Sequence, residues 1–106
     1  MIDRFNVTLS GVTIAAAVAN STEILFGPYA GATFFVPAGS SLTSITWYAA
    51  DVPGGTYLPV YDENSVLCRQ TVAAGQAYQL PTALFGCRAI KGVDAGGGTI
   101  SITPKG

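Results

Sequence analysis

Leu42-Thr43-Ser44-Ile45-Thr46-Trp47-Tyr48-Ala49-Ala50, followed by Asp51-Val52-Pro53-Gly54-Gly55, is the stretch that decides the fold. In an extended chain Ile45, Trp47 and Ala49 fall on one face, and Thr46 and Tyr48 on the other. That is the period-2 pattern of a strand with one side buried. Residues 42–50 are rich in the β-branched and aromatic types that suit a pleated surface. The Asp-Val-Pro-Gly-Gly run that ends them is the strongest turn signal in the chain.

The same pattern extends in both directions. Upstream, residues 4–9 alternate, with Phe5, Val7 and Leu9 on one face. Ser10-Gly11 reads as a tight connection into residues 12–18, where Val12, Ile14, Ala16 and Val18 share a face. Residues 23–26 form a short strand ended by Gly27-Pro28, and residues 32–36 another, closed by Pro37-Ala38-Gly39-Ser40. Downstream, residues 57–61 and 66–72 form a hairpin across Asp62-Glu63-Asn64-Ser65, whose side chains bond readily to their own turn backbone. Residues 76–80, 87–93 and 99–103 complete the strands, with Gly96-Gly97-Gly98 as a flexible link before the last. Residues 81–86 are the one place for a helical turn, with Pro81 at its start and Gly86 at its end.

Short strands with Gly/Pro punctuation predict an all-β, antiparallel β-sandwich, jelly-roll-like or a flattened barrel, of about seven to nine strands. The length of 106 residues suits a single domain over 1–106. Phe5, Val7, Leu9, Ile14, Ile45, Trp47, Leu80, Ile100 and Ile102 are expected in its core.

Composition narrows the function classes. Half the chain is apolar (49%) and 10% is charged, against roughly 25% charged in ordinary soluble domains. A surface so poor in charge is weakly protected against self-association, so part of it is expected to be covered by another protein or by further copies. A net charge of −1, with five scattered basic residues, gives no field to draw in nucleic acid or a membrane surface. The longest apolar stretch, residues 12–18, is too short to span a bilayer. The first six residues carry no signal-peptide pattern, so the chain is expected to be made and used without secretion unless it is already mature. Cys68 and Cys87 then read as reduced, part-buried small hydrophobes, with a disulfide between neighbouring strands as the alternative.

The chain contains no histidine, which removes the usual general base, the nucleophile pairs built on it and the commonest metal ligand. Asp62 and Glu63 are adjacent in a turn and read as solvated, not as a catalytic pair. Gly96-Gly97-Gly98 lacks the lysine and helix of a phosphate loop. No catalytic residue, metal site or cofactor is expected. The aromatic residues hold more promise. Trp47, in register with Ile45, belongs to the core, whereas Tyr48 points the other way. Tyr57 and Tyr61 share a face across Pro59. Tyr48, Tyr57 and Tyr61 are therefore the candidate binding residues, an exposed platform fit for a protein interface or for stacking on a sugar.

The runs Ile45-Thr46-Trp47-Tyr48, Gly55-Thr56-Tyr57-Leu58-Pro59-Val60-Tyr61-Asp62, Tyr78-Gln79-Leu80-Pro81, Leu84-Phe85-Gly86 and the terminal Gly98-Thr99-Ile100-Ser101-Ile102-Thr103-Pro104-Lys105-Gly106 together resemble small virion-associated proteins of tailed bacteriophages. The resemblance covers about residues 42–106. It is one of texture, and no functional residue carries over with it. It implies a capsid decoration or cement-like protein, assembled in the host cytoplasm and located in the virion. The implied partners are capsid protein or copies of the chain itself, as a trimer where it sits at lattice three-fold positions. The rival from another class is a carbohydrate-binding β-sandwich that takes a glycan on its open tyrosines.

Overall fold

A computed structural model describes residues 9–25, 31–84 and 87–105. Nine strands run through them: β1 Leu9–Ile14, β2 Ile24–Leu25, β3 Gly31–Phe35, β4 Ser44–Ala50, β5 Leu58–Pro59, β6 Arg69–Thr71, β7 Ala77–Gln79, β8 Ala89–Val93 and β9 Gly98–Lys105. They form two antiparallel sheets. The first has the order β1-β9-β3-β7. The second has the order β2-β8-β4-β5, with β6 also paired to β4. The fold is an all-β sandwich, as the alternating pattern predicts.

The quoted stretch becomes the centre of the second sheet. Ile45 and Trp47 are fully buried, with β8 along one side of β4 and β5 and β6 sharing the other. Phe34 from the first sheet meets Trp47 edge-on at 5.7 Å between ring centroids and stacks against Tyr78 at 5.6 Å. Ile14, Leu80, Ile100 and Ile102 complete the same core as expected. Phe5 and Val7 lie outside the described residues, and Leu9 opens β1 opposite Ile102.

Three local expectations change. Ser10-Gly11 is not a turn between two strands but a bulge inside one: Leu9 pairs with Ile102 and Val12 with Ile100, so two residues of β1 face the single Ser101. Gly11 takes φ 66° there, the left-handed conformation that lets glycine absorb the extra residue. The strand expected over 12–18 stops at Ile14, and Val18–Asn20 turns into a single 3₁₀ turn, which leaves Ala16 exposed. Ser21 causes the break, because its hydroxyl accepts from the Ala15 amide at 3.0 Å and donates to the Ala17 carbonyl at 3.4 Å. The expected helical turn appears as a 3₁₀ turn, Thr82–Leu84, closed by Leu84 N–H on the Pro81 carbonyl. Phe85 and Gly86 lie outside the described residues.

The third change concerns Gly96-Gly97-Gly98, which is held rather than flexible. The Asp94 carboxylate accepts from the Gly96 amide at 2.8 Å through one oxygen. Through the other it accepts from the Thr43 and Ser44 amides at 2.9 and 2.8 Å. This turn passes the chain from β8 in one sheet to β9 in the other.

Both long sides of the sandwich are closed. On one side Ala15 bridges Val93, while Thr13 and Thr22 exchange hydrogen bonds beside β1. On the other, Gln70 accepts from the Trp47 indole at 2.9 Å and donates to the Gln79 carbonyl at 2.9 Å, which ties β6 to β7 across the gap. These contacts blunt the edges at which exposed strands would otherwise pair with other chains. Cys68 is buried and Cys87 half-buried, and both are free thiols.

Candidate functional site

The outer face of the second sheet gathers its charged and aromatic groups around Lys91. Strand alternation turns Tyr48 away from buried Trp47, and register sets Tyr48 beside Lys91 of β8 and Pro59 of β5. Glu23 precedes Ile24, which pairs with Ile90, so it reaches the same face from the other side. The loop over 51–57 folds back across this face. Both the Gly54 amide, at 2.7 Å, and the Tyr57 hydroxyl donate to one oxygen of the Glu23 carboxylate. The Lys91 ammonium sits 4.7 Å from the Tyr57 ring centroid and donates to the Val18 carbonyl at 3.1 Å. Hydrogen bonding from Tyr57 and Gly54 holds the Glu23 carboxyl below its ordinary 4.5. Burial and the facing carboxylate push the Tyr57 phenol well up. The cluster is a fastening that pins the loop to the sheet.

Of the three candidate tyrosines, the structure brings two together. Tyr48 and Tyr57 flank Lys91, both half-buried, and Tyr57 has its hydroxyl on Glu23 and its ring against the ammonium. Tyr61 stands apart, 56% exposed, on the isolated bridge to Leu67 where the chain leaves β5.

Around Tyr61 lies a surface that the alternation did not indicate. Leu58 is 63% exposed and Val66 is 59% exposed. Leu58 shares a sequence face with Val60, so the period-2 pattern points it inward. It stays in solvent because β5 is a two-residue strand at the sheet edge with little sheet to cover it. The hairpin that carries these residues is well defined. The Asp62 carboxylate accepts from the Asn64 and Val66 amides at 2.8 and 3.0 Å, the Asp62 amide donates to the Val66 carbonyl, and Ser65 takes φ 61° at the tip. Tyr61 and Val66 thus flank a hydrogen-bonded turn, and Leu58 stands on the strand that leads into it.

Other places offer less chemistry. An open concavity of about 290 Å³ lies between residues 37–41 and 98–99. Its Ser41 hydroxyl donates to the Gly97 carbonyl and its Ser40 hydroxyl accepts from the Leu42 amide, so one ties the two loops together and the other serves its own loop. Burial pushes the thiols of Cys68 and Cys87 up, which disfavours the thiolate. Among the described residues, no three Cys, Asp or Glu side chains converge as a metal site would require.

This geometry defines a β-sandwich with a rigid, apolar hairpin edge. No protein-family model matches the chain, and no curated protein matches its sequence. Its fold is shared with the crystal structure of the SPBc2 prophage-derived protein YomS, at a TM-score of 0.59 and 14% identity over 94% of this chain and 92% of that one. At that identity the likeness is one of fold.

Proposed function

We propose that the chain is a structural protein of a tailed-phage particle, a decoration or stabilising subunit held on the capsid by protein–protein contacts and assembled in the host cytoplasm. The observation that carries the reading is the hairpin edge, where Leu58 on β5 and Tyr61 and Val66 beside the turn held by Asp62 are all more than half exposed. Covering the exposed 56–63% of those three side chains is worth roughly 3–5 kcal/mol, scaled down from the usual 1.5–3 kcal/mol per fully buried apolar side chain. That is too little by itself for a tight complex in solution, since association costs about 4 kcal/mol or more. It suits a subunit held at many equivalent positions on a lattice. The fold shared with a prophage-derived protein and the sequence resemblance to virion-associated proteins both support the phage setting.

In this reading the chain performs no catalysis and needs no cofactor. A glycan platform would require Tyr48, Tyr57 and Tyr61 open on one groove, whereas Tyr57 is engaged by Glu23 and Lys91, so a protein contact is the better account. The test is co-sedimentation of purified protein with particles that lack it, comparing wild type with Tyr61→Asp and Tyr61→Phe. The expected result is at least tenfold weaker binding for Tyr61→Asp, from an unpaired charge in a desolvated patch, with Tyr61→Phe close to wild type. Equal binding by all three proteins refutes the hairpin contact. Glycan binding that Tyr61→Asp abolishes would favour the carbohydrate reading instead.

A further inference from the structure

The hairpin edge holds charge as well as apolar surface, and the construction of its turn puts the two together. From Leu58 to Cys68 the charged residues are Asp62 and Glu63, both acidic, with no lysine or arginine among them. Asp62 lies between the exposed apolar side chains, not beyond them. It follows Tyr61 directly, its carboxylate accepts from the Val66 amide at 3.0 Å, and its own amide donates to the Val66 carbonyl at 2.9 Å. A surface that covers both Tyr61 and Val66 therefore also covers Asp62.

Neither carboxylate is neutralised from within the chain. The Asn64 and Val66 amides both bond the same Asp62 oxygen, Oδ1, and Oδ2 has no hydrogen-bond partner among the described residues. Backbone amides satisfy an acceptor but bring no positive charge. Glu63 is exposed at the tip, without a hydrogen bond or ion pair among the described residues. The next cation along the chain, Arg69 of β6, has its Nε–H on the Thr46 hydroxyl of β4 at 3.3 Å and forms an ion pair with neither carboxylate.

This arrangement restricts what can sit on the hairpin. A purely apolar surface would take the Asp62 carboxylate out of water with one oxygen unpaired, which opposes binding. An acidic surface would add repulsion between like charges. A hollow with a basic side chain at its rim meets every group. Its apolar walls cover Leu58, Tyr61 and Val66, while ammonium or guanidinium donors reach Asp62 Oδ2 and Glu63.

We propose that the partner of the hairpin on the particle is an apolar hollow rimmed by at least one lysine or arginine, which pairs with Asp62 and Glu63. The inference rests on the hairpin being the capsid contact and adds the chemistry of the surface that receives it. Rim charges of this kind govern encounter rate and register, whereas the apolar centre governs how long the contact lasts.

Co-sedimentation with particles that lack the protein, at about 0.1 M and about 1 M sodium chloride, provides the test, because that change shortens the screening length from about 10 Å to about 3 Å. Glu63 is the position to vary, since its exposed side chain holds no other described residue in place. The expected result is wild-type binding about tenfold weaker at the higher salt, and Glu63→Lys about tenfold weaker than wild type at the lower salt with an unchanged far-ultraviolet spectrum. Glu63→Gln should fall between them at low salt and match wild type at high salt. Tyr61→Ala, which removes apolar area and no charge, should weaken binding at both salts and keep the salt dependence of wild type. Wild-type binding that salt leaves unchanged, or Glu63→Lys that binds as well as wild type, overturns the basic rim. A weakened Tyr61→Ala in that same experiment leaves the hairpin contact itself standing. Equal binding by wild type, Tyr61→Ala and Glu63→Lys, or no binding by wild type, removes the contact and this inference with it.

Discussion

Asp94 is the one charged side chain buried among the described residues, at 4% exposure, and it organises more backbone than any other side chain described. Its carboxylate holds the Thr43, Ser44 and Gly96 amides and so fastens the start of β4 to the turn between the sheets. Asp94→Ala would take the acceptor from those part-buried donors, and charge-assisted bonds of this kind are worth roughly 1.5–3 kcal/mol each. We expect a loss of about 3 kcal/mol or more, read as a lower urea midpoint at unchanged slope, with Asp94→Asn losing less. A shift below about 0.5 kcal/mol, the scatter of neutral surface changes, would contradict this role. Glu23 makes a second residue-scale prediction, in pH. Its folded-state carboxyl titrates below 4.5, so its contribution is present above that value and lost as pH falls through the lower, folded one. The Gly54 amide should then lose its exchange protection only in that acid range, and in Glu23→Ala it should be unprotected at neutral pH. Protection unchanged by either would count against the fastening. Neither role is legible in sequence. Asp94 precedes a glycine run that looks like a flexible link, and the Thr43 amide lies 51 residues away from it. Glu23 meets Tyr57 across 34 residues.

Among the elements, what local pattern controls was legible and what pairing controls was not. The alternation through Ile45 and Trp47 identified β4, and the Asp62–Ser65 tetrad identified the hairpin, because side-chain period and turn chemistry act over a few residues. The sequence did not reveal that β5 and β6 both pair with β4 rather than with each other along their length, since edge-sharing depends on where the neighbouring sheet ends. The same ignorance hid the exposure of Leu58. The bulge in β1 was mistaken for a turn because Ser-Gly serves either purpose, and only the partner strand decides which. Two glycines give this level its test. Gly11 has φ 66° and open space around its missing Cβ, so Gly11→Ala should cost only the backbone term, about 1 kcal/mol. Gly92 has no such φ, but a Cβ there would stand 2.8 Å from Ile14 Cδ1 and 3.0 Å from Ile45 Cγ2, between the sheets. Gly92→Ala should cost more, about 2 kcal/mol, through overpacking. Thermal unfolding of both variants checks the order, and the reverse order would contradict the bulge and the packing together.

The whole molecule has two unlike outer faces, one carrying the Glu23–Tyr57–Lys91 fastening and the other without a charged side chain among those described. At one edge a hairpin exposes Leu58, Tyr61 and Val66 beside the Asp62–Ser65 turn. Composition leads one to expect covered surface but gives no location for it, since exposure depends on which strands become edges. Of the three tyrosines Tyr61 is exposed while Tyr48 and Tyr57 are half-buried, and grouping them into one platform requires Tyr57 to be free, whereas long-range hydrogen bonding engages it. A structural subunit of this kind must be part of the phage particle. Quantitative mass spectrometry of purified particles of the phage that encodes it tests this most directly. The account predicts the chain in the particle at a copy number comparable to that of the major capsid protein. Its absence from purified particles, with the protein recovered only in the free fraction, would contradict it.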